Sequence, residues 1–258
     1  MAKWTAFPYD NADYTLDAAA LKKMWARLHA GDAEPLPKDA AVLAAWAHFH
    51  AGEFQKATEA GLKLGAAGTT VANKAQVIYA TYLEKNEKTK LALFLEASQR
   101  AEAQAEAEPG NANAHYLMAA ALGRYSQGIS VAKALAQGLG GKIKQALEHA
   151  IRLAPSHADA HIALGAFHAE VIDKVGSLIG GMTYGAKKDT GLKLFQTALT
   201  LSPHSAIAMI EYANALVMLE GDKKMQEATQ LYERAAAVQA QDAMERLDVE
   251  LAKAELAE

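Results

Sequence analysis

The sequence predicts an all-α fold, a solenoid of stacked antiparallel helix pairs. Three observations carry this prediction. Alanine is the commonest residue and prolines are few, with six in 258 residues. Apolar residues recur at the spacing of helix faces. One helix-pair unit is also written twice between Gly110 and Pro203. An alanine-rich chain favours helix, and a unit repeated at a fixed period is typical of stacked helix repeats.

Three prolines set the frame of the repeat. Pro109, Pro155 and Pro203 are 46 and 48 residues apart. Small residues stand ten positions after each proline, and bulky residues stand eight positions before the last two. These positions are Ala119, Gly165, Ala213, Leu147 and Phe195. Constant offsets of small and large residues predict helix pairs that stack in the same way in each unit.

This pattern resembles the tetratricopeptide repeat (TPR). Phe195 and Ala198 match the aromatic and alanine positions of its second helix, and Pro203 matches its closing proline. The usual period is about 34 residues, whereas this chain has about a dozen more between the helices. Such inserts resemble a branch that includes the T-component of bacterial TRAP transporters and the regulator of microtubule dynamics family. The resemblance covers roughly residues 110–240 and implies a binding scaffold, with solute-binding proteins as one possible partner class.

Taken in order, the chain divides into three predicted regions. Residues 1–38 form an N-terminal segment and helix, residues 39–240 form the TPR-like repeat domain, and residues 241–258 form a C-terminal capping helix. Residues 1–14 are aromatic and irregular, and either fray or lie in a groove. The expected helices are 15–29, 40–51, 53–64, 71–85, 89–106, 112–127, 141–153, 157–174, 189–201, 205–219, 223–238 and 242–256.

Bulk composition argues against several function classes. The net charge of −4 and the pI of about 6.1 disfavour binding to nucleic acid or to an anionic membrane surface. The chain has no cysteine, which removes disulfides and thiolate chemistry. Its start shows no apolar signal segment, and no run of about 20 apolar residues predicts membrane insertion. We therefore expect a cytoplasmic protein.

Two apolar, glycine-rich inserts are the best candidates for a binding site. Insert one spans residues 126–140 and insert two spans residues 175–188. Surface loops are usually polar, so we expect these inserts to bury themselves on the concave face and to line a pocket. The alternative is that they merely extend the core. The candidate ligand-binding residues are Tyr125, Ser126, Ile129, Val131, Leu135, Leu139, Lys142, Leu178, Ile179, Met182, Tyr184 and Lys188.

The lysines beside the inserts raise the question of an anion site. The stretch GLGGKI is not a phosphate-binding loop, because Ala136 stands where the motif needs glycine and Ile143 follows Lys142. Lys142 and Lys188 nevertheless lie near helix starts, where free N–H groups attract anions. The alternative is a solvated basic edge.

The histidines are predicted not to form a metal site. His157 and His161 have the HxxxH spacing that suits zinc, and His168 follows on the same helix. However, His115 occupies the position of His161 in the preceding unit. A histidine that recurs with the repeat predicts packing or hydrogen bonding between units. We also find no nucleophile motif such as GxSxG, so we expect no catalytic residues and no cofactor.

These observations favour a non-catalytic scaffold. It is expected to bind a protein or peptide partner, or a small apolar ligand, on the concave face near the inserts. One alternative is a small-molecule pocket enzyme or carrier. Another is a purely structural repeat that assembles into a homo-oligomer. A closed tunnel between the inserts would favour a small ligand, whereas an open apolar groove would favour a peptide partner.

Overall fold

The computed structural model describes residues 3–257, and that range contains α-helices and short 3-10 turns but no strand. The all-α prediction is confirmed. The helices are α1 (Ala18–Leu28), α2 (Ala40–His50), α3 (Phe54–Lys63), α4 (Thr69–Tyr82), α5 (Glu87–Ala107), α6 (Ala112–Gln127), α7 (Val131–Ala136), α8 (Leu139–Leu153), α9 (Ala158–Tyr184), α10 (Lys188–Leu201), α11 (Ala206–Glu220), α12 (Met225–Ala236) and α13 (Ala243–Glu255).

The chain divides into two compact units. Of the described residues, unit 1 contains 3–29, 34–153 and 241–244, and unit 2 contains 30–33, 154–240 and 245–257. In unit 1, α2 to α6 each pack on the next helix, α6 packs on α8, and α2, α4 and α6 contact one another in turn. In unit 2, α9 to α12 pack in sequence and α9 also contacts α11. Contact with both the next helix and the next but one is the packing of stacked helix pairs.

The prolines do set the register of the helices. Two residues after each proline stands the N-cap of a helix: Asn111 for α6, His157 for α9 and Ser205 for α11. Each side chain accepts a hydrogen bond from the backbone N–H three residues later, at 3.1, 3.1 and 3.2 Å. Such a cap satisfies one of the free N–H groups at a helix start. The repeat is therefore visible in the capping as well as in the packing.

The repeated histidines have a repeated hydrogen bond. The Nε2 atom of His115 lies 3.1 Å from the carbonyl oxygen of Pro109, and that of His161 lies 3.0 Å from the carbonyl oxygen of Pro155. A carbonyl only accepts, so each ring donates from Nε2. Both rings make the same hydrogen bond, but each bond closes a loop onto its own helix, so these bonds do not provide the predicted link between neighbouring units.

The small residue of the repeat marks a close helix contact. A Cβ atom added at Gly165 in α9 would lie 2.9 Å from the ring of Phe195 in α10. Phe195 is fully buried and stacks on Tyr212, with ring centroids 5.4 Å apart. The prediction that Gly165 lies at a close helix–helix contact is thus confirmed.

Several element boundaries differ from the sequence-based expectation, and a short helix, α7, was not expected; three of the differences bear on the caps and inserts. The first helix begins at Ala18, because the Asp17 side chain accepts from two N–H groups and caps it there. Helix α8 starts at Leu139 and not at residue 141. Helix α9 continues through the predicted loop of insert two and ends at Tyr184. A glycine-rich run was expected to end that helix, but its packing stabilises a second helical stretch.

Candidate functional site

Insert two is a helical stretch that follows a break in α9. Gly176 has φ of +81° and ψ of 157°, a conformation that glycine adopts without a Cβ clash. The helix resumes after it and ends at Gly185, which is left-handed at φ +64°. The N–H of Ala186 then donates to the carbonyl of Gly180 at 3.1 Å. The N–H of Gly185 itself donates to the carbonyl of Gly181 at 3.0 Å, which is the hydrogen bond of a helix that ends in a left-handed glycine.

One side of insert two packs back onto the first part of α9. A Cβ atom at Gly180 would lie 2.9 Å from Val171 Cγ1, so only glycine leaves room for this approach. The Tyr184 ring meets Phe167 edge-on, with centroids 6.2 Å apart. The backbone N–H of Lys187 donates to His168 Nδ1 at 3.1 Å. These contacts fix which side of the insert faces outward.

The outward side of insert two is apolar and exposed. Leu178 is 75% exposed, Ile179 59% and Met182 82%. We call these three residues the α9 face. They were expected to be buried, and the structure shows the opposite. Residues three and four apart share one side of a helix, so Ile179 and Leu178 both neighbour Met182. Gly180 occupies the packed side, and the large side chains are left in solvent.

The lysines at the ends of insert two are paired with carboxylates. Lys188 Nζ lies 2.6 Å from Glu220 Oε1, and Lys174 Nζ lies 3.0 Å from Asp173 Oδ2. The hydrogen bond from Lys188 lowers the pKa of Glu220. In unit 1, Lys142 is paired in the same way with Glu102 at 2.6 Å. These pairs leave little net positive charge to hold an anion at either lysine.

Insert one is anchored at its start and is otherwise mostly exposed, with no buried residue in α7. A Cβ atom at Gly128 would lie 2.5 Å from Leu91 Cδ2, which places the start of the insert against α5. The Ser130 side chain caps the short helix α7. Among the predicted site residues, Tyr125 and Leu139 are buried, Ser126, Ile129 and Lys142 are half-buried, and Val131 and Leu135 are exposed.

The predicted site residues thus form two sets, one in each unit. The set from Tyr125 to Lys142 belongs to unit 1, and the set from Leu178 to Lys188 belongs to unit 2. Within unit 2, the α9 face brings Leu178, Ile179 and Met182 together. A pocket shared by both inserts stays a prediction.

A small cavity between α9 and α11 was not anticipated from the sequence. Its volume is about 10 Å³, enough for one water molecule. It is lined by Ala166, Ala169, Glu170, Glu211, Asn214, Ala215 and Met218. Nearby, the Tyr232 hydroxyl donates to Asn214 Oδ1 at 2.6 Å, and burial, together with Glu255 and Glu211, raises the pKa of Tyr232 to about 12. The recurring alanines of α9 and α11 are the sequence feature that could have indicated this cavity, because small side chains leave space between stacked helices.

The two HxxxH histidines and His168 each form a hydrogen bond with a backbone group. His157 Nδ1 accepts from Ala160 N–H, His161 donates to the Pro155 carbonyl, and His168 Nδ1 accepts from Lys187 N–H. Among residues 3–257, no group of three or more histidine, cysteine or acidic side chains is arranged to hold a metal ion.

A second histidine cluster was also missed, because its members are far apart in sequence. His50 Nδ1 lies 2.7 Å from Asp242 Oδ2, and His50 Nε2 lies 3.2 Å from His29 Nε2. All three side chains are buried. The rings of Trp25 and Trp46 stack on His29 and His50, with centroids 4.0 and 6.0 Å apart. Because all three side chains are buried beside indole rings, this cluster offers no access to a substrate.

Comparison with known proteins agrees with this fold. The family model for regulator of microtubule dynamics protein 1-3 matches residues 53–257. The crystal structure of a thermophilic TPR protein from Thermus thermophilus is similar, with a TM-score of 0.58 and 15% sequence identity, over 83% of this chain and 97% of that one. None of the curated proteins compared matches the chain. Across the described residues, no helix has the length and apolar character needed to cross a membrane.

Proposed function

The chain belongs to the regulator of microtubule dynamics family, and we propose that it is a non-catalytic scaffold that binds a partner protein through the α9 face. The observation that carries this proposal is the exposure of Leu178, Ile179 and Met182 on a helix whose other side is packed. TPR-like repeats present extended surfaces to other molecules, and family and fold together support a protein-interaction scaffold.

Burial of the three exposed apolar side chains against a partner protein would contribute favourable free energy to binding. Burying apolar surface stabilises by roughly 25 cal/mol per Å², and these three side chains contribute little of that in the chain alone. Contiguous exposed apolar residues mark interaction sites. The flexible thioether of Met182 adapts to partners of different shape. The face is therefore better explained by binding than by folding.

The chemistry of the surroundings supports a protein as the partner. The α9 face is an open helix surface, which suits the side chains of another protein better than a small molecule that needs enclosure. Lys188 and Lys174 at its ends are paired with Glu220 and Asp173. Because these charges are neutralised within the chain, the complementary surface is expected to be apolar and not acidic.

The alternatives from the sequence have less support. A carrier of small apolar molecules needs an enclosed cavity of a few hundred Å³, whereas the α9 face is an open helix surface. An enzyme needs a positioned nucleophile or acid–base pair beside a pocket, and the α9 face is apolar. A cytoplasmic location and assembly into a homo-oligomer stay predictions.

Photo-crosslinking tests the proposal. A benzoylphenylalanine placed at Met182 should give a defined adduct with a different protein in cells that make the chain naturally. The same group at Met225 is the matched control, because Met225 is an exposed methionine of unit 2 at 46%. Loss of the Met182 adduct on Leu178→Ser would tie it to the α9 face. Identical adducts at both positions, or an adduct only with a second copy, would contradict the proposal.

A further inference from the structure

The N-terminal segment lies on α3 and α4 in the manner of a bound peptide. Residues 3–10 have no helix or strand. The ring of Trp4 stacks on Tyr79 of α4, with centroids 4.1 Å apart and planes 13° apart. The ring of Phe7 meets Phe54 of α3 edge-on at 6.5 Å. Side chains three residues apart lie on the same side of a polyproline II helix, and Pro8 biases Phe7 toward that conformation.

The main chain of the segment is held by side chains of the helices. Trp4 N–H donates to Gln55 Oε1 at 2.9 Å, and Thr5 N–H donates to the Tyr79 hydroxyl oxygen at 3.3 Å. The Thr5 side chain itself is exposed. Hydrogen bonds to backbone N–H groups do not depend on which side chain the segment carries. This surface of α3 and α4 therefore selects for the two aromatic rings and accepts varied residues between them.

The groups that receive the segment are oriented by their own helices. The Gln55 side chain donates from Nε2 to Glu59 Oε1 at 3.1 Å, which points its carbonyl oxygen toward the segment. The Tyr79 hydroxyl donates to Glu84 Oε2 at 3.1 Å and so presents a lone pair to Thr5. These bonds do not involve the segment. A receiving surface held in place without its ligand binds at lower entropic cost.

A glycine makes room for the second aromatic ring. Gly52 precedes α3 and has φ of +78°, and a Cβ atom there would lie 2.7 Å from Phe7 Cγ. Both the backbone conformation and the ring thus require glycine. Beyond this point, Asn11 Nδ2 donates to the Ala51 carbonyl at 2.8 Å and anchors the end of the segment.

We propose that this surface, formed by Gly52, Gln55, Phe54 and Tyr79, is a binding groove for extended peptides of partner proteins that carry aromatic residues three positions apart, and that residues 4–7 occupy it within the chain. This site lies in unit 1 and goes beyond the α9 face of unit 2, and it binds a different kind of ligand. Both aromatic rings of the segment are half-buried, and residues 4–7 open by breaking two backbone hydrogen bonds and two ring contacts, without unfolding a helix. A partner peptide gains access when the segment opens.

Competition between the segment and a free peptide tests this proposal in the full-length chain. The double variant Trp4→Ala/Phe7→Ala removes the rings that fill the groove. A fluorescent peptide with the sequence of residues 3–9, KWTAFPY, should bind this variant about tenfold more tightly than the wild type. A tethered segment competes at an effective concentration on the order of 1 mM, which gives this factor if the free peptide binds with Kd of roughly 0.1 mM. Adding Tyr79→Ala, or replacing both aromatic residues of the peptide by alanine, should abolish binding.

The outcomes separate a peptide groove from a fixed part of the fold. A double variant with wild-type helicity by circular dichroism that binds the peptide no better than the wild type would overturn the proposal. Hydrogen exchange of the wild type provides a second measurement that needs no variant. The amides of Trp4 and Thr5 should exchange faster than those of α4, and faster again with excess peptide. Exchange as slow as that of α4 would overturn the proposal, as would a wild-type dimer that dissociates on Trp4→Ala/Phe7→Ala, because a second copy would then supply the segment.

Discussion

Gly165 shows how a single missing side chain determines helix packing in the repeat. The ring of Phe195 occupies the space that a Cβ atom would need. Gly165→Ala should therefore destabilise the protein by roughly 1–3 kcal/mol through overpacking. Gly123 in α6 is the matched control, since no atom lies within 4 Å of an added Cβ there.

Gly123→Ala should stabilise the protein by about 0.4–1 kcal/mol, because alanine loses less chain entropy on folding. Urea unfolding followed by circular dichroism measures both variants. Equal effects of the same sign would show that Gly165 does not set the packing of α9 on α10.

The titration of His115 should be visible in the stability of the protein. Burial lowers the pKa of His115; the hydrogen bond to Pro109 opposes this, and the His149 ring, 4.3 Å away between centroids, adds to the lowering. A histidine with a folded pKa below its unfolded value of about 6.5 stabilises the fold fully above that pH. Its contribution is lost as the pH falls through the folded pKa.

The variant His115→Gln keeps a donor for the Pro109 carbonyl but does not titrate. The difference in unfolding free energy between pH 7.5 and pH 5.5 should be smaller in this variant than in the wild type. His204→Gln is the control, because His204 is exposed. A pH dependence that is unchanged in His115→Gln would refute the role of His115.

Residue-level prediction from the sequence succeeded where the repeat supplied an internal comparison. Gly165 and Phe195 were placed by their offsets from the prolines, and the shared repeat position of His115 and His161 indicated a shared hydrogen bond. His50 and Asp242 have no such comparison. They are 192 residues apart, and only the folded chain brings them together.

At the scale of elements, the buried bond between His50 and Asp242 joins α2 to the residue before α13. Asp242→Asn should destabilise the protein by roughly 1.5–3 kcal/mol, because a hydrogen bond to a charged group is lost and the buried ring of His50 keeps only a weaker partner. Asp13→Asn, at an exposed position, should change stability by less than about 0.5 kcal/mol.

A double-mutant cycle of Asp242→Asn with His50→Gln then isolates the pair. The two effects should fail to add by at least about 0.5 kcal/mol, as expected for residues in direct contact. Additive effects from two folded variants would mean that the bond contributes nothing to stability.

Element boundaries were the part of the fold that the sequence predicted least well. The glycine content of insert two correctly indicates close backbone packing but not the secondary structure, because glycine breaks a helix at Gly176 and permits one at Gly180. The orientation of the α9 face follows from that packing. The sequence pattern therefore could not predict that Leu178 and Met182 are exposed, because apolar residues in a pattern are expected to be buried.

For the whole molecule, the repeat predicted the TPR-like architecture, and the family match and the similar thermophilic TPR structure agree with it. The residues of the candidate site stay a prediction, and the buried pocket expected of them differs from the exposed face in unit 2. The sequence placed the apolar residues in two inserts, and in unit 2 the structure turns one of them into an exposed helix face. An open apolar surface favours a protein partner over an enclosed ligand, which is the central claim of the proposed function.

The most direct test of this claim is the affinity of the partner captured at Met182 for three forms of the purified chain. Isothermal titration should give a Kd at least about tenfold weaker for Leu178→Ser/Met182→Ser than for the wild type. That factor corresponds to about 1.4 kcal/mol, less than the burial of two large apolar side chains supplies. Met225→Ser should bind like the wild type. Equal affinity of all three forms, with helicity unchanged, would show that the α9 face is not the binding surface.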